Sequence, residues 1–66
     1  MTIKALVDYD GWMMVEHWQM TKDEAIARAY SAVRDKDSRI IKIMLFQGTW
    51  PFWSMTNWKK EYSCNI

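Results

Sequence analysis

The chain has 66 residues, 50% apolar and 26% charged, which fits one small globular domain and is too short for two. Nine lysines and arginines against eight aspartates and glutamates leave a net charge of +1. That balance excludes a protein specialised to coat a polyanion and an acidic mimic of DNA. A single cysteine, Cys64, excludes an intramolecular disulfide framework and a cysteine-rich zinc site. Apolar runs reach only four residues and no signal sequence is recognisable, so we expect a cytoplasmic protein that does not enter a membrane.

The first predicted element is a β-hairpin. Residues 3–9 alternate in polarity as a strand does, and the dipeptide Asp10-Gly11 that follows favours a two-residue type I′ turn. That turn sets the register of the two strands, since a slip of one residue would mix their apolar and polar faces. It leaves Glu16 as the only charge on the apolar face and places His17 on the other.

A helix is predicted next, because Thr21 and Glu24 have the spacing of a capping box. The acidic side chains of Asp23 and Glu24 also suit the positive end of the helix dipole. We expect the helix to cover residues 22–35 and to turn one apolar stripe toward the sheet. That stripe consists of Ala25, Ile26, Ala29, Tyr30 and Val33.

Two more strands complete the predicted fold. Residues 39–47 are apolar and β-branched, and alternation directs Ile41, Ile43 and Leu45 toward the helix. After a turn at Gly48, residues 50–55 form a strand that Pro51 confines to a sheet edge, because proline cannot donate to a ladder.

The segment 56–62 fits either an extension of the fourth strand or a short helix. The order of elements predicts an α+β fold, ββαββ, in which a four-stranded antiparallel sheet carries one helix on one face. We expect a single domain over residues 1–66.

The sheet is predicted to be wider than its cover. Four strands span about 19 Å and one helix about 10–12 Å, so apolar side chains remain on an open face. Exposed apolar patches rimmed by charges usually mark interfaces, which favours a partner-binding surface. Cover by the C-terminal segment, or by a second copy of the chain, is the alternative. The expected partner-binding residues are Leu6, Met13, Val15, Ile40, Met44 and Phe46 on the open face, with Trp50 and Trp53 on the edge strand.

A nucleic-acid interface is the second hypothesis for this end of the chain. Tryptophans near lysines can stack on single-stranded bases. Asp35 and Asp37 interrupt the basic residues of the helix end, however, and basic modules carry a clearer excess of charge. The residues of this alternative are Trp58, Lys59, Lys60, Arg34 and Arg39, together with the two tryptophans of the fourth strand.

Catalytic chemistry has little support in the sequence. The only histidine, His17, lacks further metal ligands on its face, so no metal is expected. Ser54, His17 and Asp8 are the residue types of a hydrolytic triad, but their spacing does not indicate one. The two glycines are both assigned to turns, which leaves no phosphate-binding loop. We expect no enzyme activity and no cofactor.

The organisation of the chain resembles that of several small phage-encoded proteins, including some anti-CRISPR proteins. The resemblance lies in the capped helix start at residues 21–25, the strand 39–47 and the Gly48-Thr49-Trp50 turn, and it extends over about two-thirds of the chain. It implies a protein that docks on a host enzyme or defence complex in the host cytoplasm, and it transfers no binding residue.

Three functions follow as hypotheses. The first is a small protein-binding module, a phage-encoded inhibitor or modulator of a host protein that acts by steric occlusion. The second is a single-stranded nucleic-acid-binding protein that stacks tryptophans on bases. The third is a structural homo-oligomer, for example a homodimer, in which the open sheet faces stack back to back.

Overall fold

The computed structural model describes residues 1–57, which form four strands and one helix in the predicted order ββαββ. The elements are β1 Thr2–Tyr9, β2 Trp12–Gln19, α1 Lys22–Arg34, β3 Ile40–Gln47 and β4 Trp50–Thr56. All neighbouring strands are antiparallel, and the order across the sheet is β2-β1-β3-β4. The helix packs on one face of this sheet, mainly over β3 and β4.

The first hairpin has the predicted register and a different turn. Tyr9 pairs with Trp12 and Ile3 with Trp18, as expected for a two-residue loop. Gly11 has a φ of +99°, but no other described residue except Gly48 has a positive φ. A type I′ turn needs positive φ at both central residues, so that prediction is wrong and the angles fit a type II turn. The Asp10 N–H bonds to the Arg39 carbonyl at 3.0 Å, which ties Asp10 to the third strand.

The second hairpin follows its predicted turn chemistry. Gly48 has a φ of +64° at the first central position, the arrangement of a type II′ turn. Pro51 lies in β4, which is an edge strand as predicted.

The core lies between the helix and the inner face of the sheet. Two of the four alanines of the helix, Ala25 and Ala29, are fully buried, which lets the helix backbone come close to the strands. Tyr30 was expected in the same stripe and is 47% exposed instead, with its hydroxyl accepting a hydrogen bond from Arg34 Nη1 at 3.1 Å. The other buried apolar residues are Ile3, Val7, Trp18, Val33, Ile41, Ile43 and Leu45, with Ala5 in the centre of β1.

Two register shifts change which residues face the helix. One lies where Tyr9 of β1 pairs with Ile40, and the second lies between Leu45 and Phe46 in the pairing of β3 with β4. A bulge adds one residue to a strand and resets its alternation. Ile40 therefore packs against the core, and its predicted place on the open face is wrong. Trp53 pairs with Leu45 and likewise packs against the core.

The described chain ends just beyond β4. Asn57 bonds to β3 and α1 together, because its N–H donates to the Ile41 carbonyl at 2.7 Å and its side chain to the Val33 carbonyl at 3.2 Å. The expectations for Trp58, Lys59, Lys60 and Cys64 lie outside the described residues.

Candidate functional site

The open face of the sheet, opposite the helix, is built from three rows of directly paired residues. Side chains at paired positions share a face, so the register fixes each row. The rows are Met13, Asp8, Lys42 and Thr56; Val15, Leu6, Met44 and Ser54; and His17, Lys4, Phe46 and Pro51.

The apolar side chains of these rows form a diagonal. We call it the diagonal band, and it runs from β2 at the first hairpin to β4 at the second. Its β2 end is open to solvent, since Met13 is 54% and Val15 52% exposed. Toward β3 the side chains of Leu6, Met44 and Phe46 are half-buried. The band consists of Met13, Val15, Leu6, Met44, Phe46 and Pro51.

Charged side chains flank the diagonal band on both sides. At one corner Asp8 and Lys42 are directly opposed, with opposite charges. At the other, Lys4 is paired with His17, as predicted, and its Nζ lies 4.8 Å from the centre of the Phe46 ring. That cation–π contact covers part of the ring and accounts for some of its burial.

The first hairpin exposes apolar side chains on its helix side as well. Trp12 is 55% and Met14 45% exposed, because the helix lies over β3 and β4 and does not reach this corner. The Trp12 ring stacks on Tyr9, with centroids 4.9 Å apart and planes at 19°. The consecutive residues 12–15 are therefore exposed on both faces of an edge strand.

Trp12 and Met14 are not among the surface residues predicted from the sequence. A signal was present, because residues 12–15 form one of the two longest apolar runs, and an alternating strand with one buried face has no reason for such a run. What the pattern could not give was the position of the helix over the other half of the sheet.

Glu16 is the centre of a polar cluster on the helix side of β2. Its Oε2 accepts a hydrogen bond from the Tyr9 hydroxyl and its Oε1 one from Trp18 Nε1, both at 3.0 Å. Arg28 of the helix lies over the Trp18 ring at 4.3 Å. Lys22 of the helix lies elsewhere, with its Nζ 5.3 Å from the centre of the Phe52 ring.

The same cluster affects the Tyr9 hydroxyl. Burial raises the pKa of Tyr9 above its ordinary value of 10.0, the hydrogen bond to Glu16 and the charge of that carboxylate raise it further, and Arg28 opposes them. Tyr9 therefore donates to Glu16 as a neutral phenol at physiological pH.

The tryptophans of β4 have different surroundings. Trp50 is 76% exposed at the second hairpin, whereas Trp53 packs against the core and is only partly accessible. Of the basic residues proposed to accompany them, Arg34 and Arg39 are both exposed near the end of the helix.

The residue types of a hydrolytic triad do not meet. His17 is paired with Lys4, and Asp8 lies four residues further along β1. At the rise of a strand, Asp8 is therefore about 13 Å from the position of that pair. Ser54 lies on β4 and His17 on β2, at opposite edges of the sheet.

Residues 1–57 contain no group of three or more His, Cys, Asp or Glu side chains placed to hold a metal ion. None of the helical structure described is long and apolar enough to cross a membrane.

Neither a protein-family model, nor a curated protein, nor a solved structure matches this chain. What the chain does must therefore be inferred from the geometry of its own surface.

Proposed function

We propose that this chain is a small protein-binding module that inhibits or modulates a host protein by covering part of its surface, and that it is encoded by a phage. The observation that carries the proposal is the exposed apolar surface at the β2 end of the diagonal band, where Met13 and Val15 are each more than half exposed.

The chemistry of the band is that of an interface. Methionine and aromatic side chains adapt to a partner and are enriched at interface centres, while charged residues are found at the rim. Met13, Met44 and Phe46 belong to the band, and Lys4, Asp8 and other charges flank it. Partner binding would complete the burial of side chains that the chain itself covers only in part.

Steric occlusion is the mode of action that this surface supports. The apolar residues lie on the open face of the sheet, and residues 1–57 contain no cluster of metal ligands. An apolar sheet face can cover a substrate site or a docking site of its partner without any chemistry of its own.

Capture with matched variants tests this function. The wild type and the double variant Met13→Ser, Val15→Ser are immobilised and exposed to lysate of the bacterial host, and retained proteins are identified by mass spectrometry. Tyr30→Ser is the control, since Tyr30 is similarly exposed at 47% but lies on the helix. We expect one protein to be retained by the wild type and the control and lost with the double variant.

The captured protein then serves as the reporter of occlusion. Its activity should fall when purified chain is added, and binding should change little with salt, because apolar contacts release few counterions. Retention by the wild type and both variants alike, or an activity unaffected by saturating chain, contradicts the proposal. Binding to single-stranded nucleic acid that weakens steeply with salt favours the second hypothesis instead.

A further inference from the structure

Within residues 1–57, one edge of strand β2 pairs with no other strand, and the register of β2 shows which backbone groups point there. The Met20 N–H donates a hydrogen bond to the Met1 carbonyl at 3.1 Å. Met1 and Met20 are therefore a hydrogen-bonded pair, and they continue the register of the hairpin. Bonded and non-bonded pairs alternate in an antiparallel ladder, and residues of the non-bonded pairs direct N–H and C=O away from the partner strand. In β2 these outward groups belong to Met13, Val15, His17 and Gln19.

The two edges of the sheet are protected unequally. Natural proteins block edge strands with proline, bulges or charged side chains. Edge strand β4 has Pro51 and a register shift against β3. Strand β2 pairs with β1 over all eight residues without a shift, and it contains no proline, lysine or arginine. Its one carboxylate, that of Glu16, accepts hydrogen bonds from Tyr9 and Trp18.

We propose that β2 pairs with β2 of a second copy of this chain, so that two sheets join into one continuous eight-stranded sheet. Two antiparallel copies of a strand are related by a two-fold axis, and we place that axis at Val15, which then faces its own symmetry mate. This register pairs Met13 with His17, Met14 with Glu16 and Trp12 with Trp18 of the second copy.

Charge favours this register and permits a second copy as the occupant. No like charges are directly opposed when the axis lies at Val15, whereas an axis at Glu16 would oppose two carboxylates, which is destabilising. An axis at Met14 leaves His17 and Trp18 unpaired and shortens the ladder. The net charge of +1 gives two copies little mutual repulsion.

The position of the helix leaves room for the second copy. A two-fold axis perpendicular to the sheet puts both helices on the same side, and each helix lies mainly over β3 and β4, away from the junction. On the opposite side Met13 and Val15 of the two copies meet, so the two diagonal bands become one. The dimer goes beyond the proposed function, because it requires no foreign protein.

A charge swap at the axis tests this pairing. Val15→Lys and Val15→Glu each place two like charges opposite each other, while a mixture of the two variants opposes unlike charges. Ser54→Lys and Ser54→Glu are the matched controls, since Ser54 is exposed in the same row of the same face but on edge strand β4. Each protein, and each equimolar mixture, is examined by sedimentation equilibrium in the absence of any other protein.

We expect the wild type and both Ser54 variants to sediment at twice the 8.0 kDa of the chain. The dimer of each Val15 variant alone should have a dissociation constant about tenfold higher than that of the wild type, and the mixture should recover the dimer. A wild type that stays monomeric up to millimolar concentration overturns the proposal, as does a mixture no tighter than its components. A monomer that instead binds an added extended peptide at β2 also overturns it and identifies a foreign strand as the occupant.

Hydrogen exchange of the wild type gives a second test that needs no variant. The amides of Met13, Val15 and His17 face water in a monomer and are hydrogen-bonded in the dimer. Their exchange should slow strongly as protein concentration rises, while the exchange of Met14 and Glu16, which already bond to β1 in the monomer, should slow less. Fast exchange of these three amides at every concentration contradicts the pairing.

Discussion

Glu16 shows how a single carboxylate is accommodated on an apolar sheet face. The alternation of β2 correctly places it on the helix side, opposite Ala5. The sequence could not name its partners, because they are set by side-chain length and ring orientation in three dimensions. The structure pairs each oxygen with an aromatic donor from the same hairpin, Tyr9 or Trp18.

Removing this carboxylate should destabilise the hairpin measurably. Glu16→Ala leaves the Tyr9 hydroxyl and the Trp18 N–H, both partly buried, without their acceptor, which costs about 1.5 kcal/mol of unfolding free energy. Urea unfolding followed by tryptophan fluorescence measures the loss. His17→Ala, on the opposite face of the same strand, is the control and should change the free energy little. Equal values for the two variants would contradict a structural role of the cluster.

Tyr9 makes stability depend on alkaline pH. Its pKa is raised above 10.0 in the folded chain by burial and by Glu16, so the folded state favours the neutral phenol. The contribution of this group to stability is complete below pH 10.0 and is lost as pH rises through the folded pKa. The melting temperature of the wild type should fall as pH rises through this range, and that of Tyr9→Phe should fall less. Parallel pH profiles of the two proteins would exclude this role of Tyr9.

At the scale of elements, the helix start is the best-predicted feature of the fold. Both halves of the capping box are present: the Glu24 N–H donates to Thr21 Oγ1 at 3.2 Å, and the Thr21 N–H donates to Glu24 Oε1 at 3.0 Å. The motif was predictable because all its partners lie within four consecutive residues. The bulges at Ile41 and Phe52 were not, since a bulge depends on how one strand meets another and no local pattern encodes it.

The cap predicts a loss of helix stability in acid. The hydrogen bonds from the Thr21 backbone and hydroxyl lower the pKa of Glu24 below its ordinary value of 4.5. The contribution of this group is complete above that value and is lost as pH falls through the folded pKa. Helical circular dichroism of the wild type should therefore decline in acid. Glu24→Gln, which cannot titrate and still accepts from Thr21, should decline less over the same range.

The second hairpin gives a conformational prediction. Gly48 has a φ of +64°, and a Cβ added there would meet no atom within 4 Å, so the cost of a side chain is one of backbone strain alone. Gly48→Ala should lower the unfolding free energy by about 1–2 kcal/mol. D-Alanine at the same position, introduced by chemical synthesis, favours positive φ and should be neutral or stabilising. Equal destabilisation by both enantiomers would show that the space around Gly48, and not its φ, is limiting.

For the whole molecule, element order and the register of the first hairpin could be read from the sequence, and the position of the open surface only in part. Alternation in β1 and β2 gave the correct faces because that hairpin has no bulge. Strands β3 and β4 each have a residue that breaks the alternation, which moved Ile40 into the core. The placement of α1 over β3 and β4, which exposes Trp12 and Met14, depends on packing that the periodicity of a single element does not determine.

Self-pairing through β2 links the stability of the whole molecule to its concentration. When a dimer unfolds to two separate chains, its free energy of unfolding rises by about 1.4 kcal/mol per dimer for each tenfold rise in concentration, because only the folded state associates. For chains of this size that is a rise in melting temperature of about 3–6 °C. Differential scanning calorimetry should show this slope for the wild type and for Ser54→Lys, and a much smaller one for Val15→Lys. A melting temperature independent of concentration, where sedimentation reports a dimer, would mean that the copies separate before they unfold and that the β2 junction adds nothing to the fold.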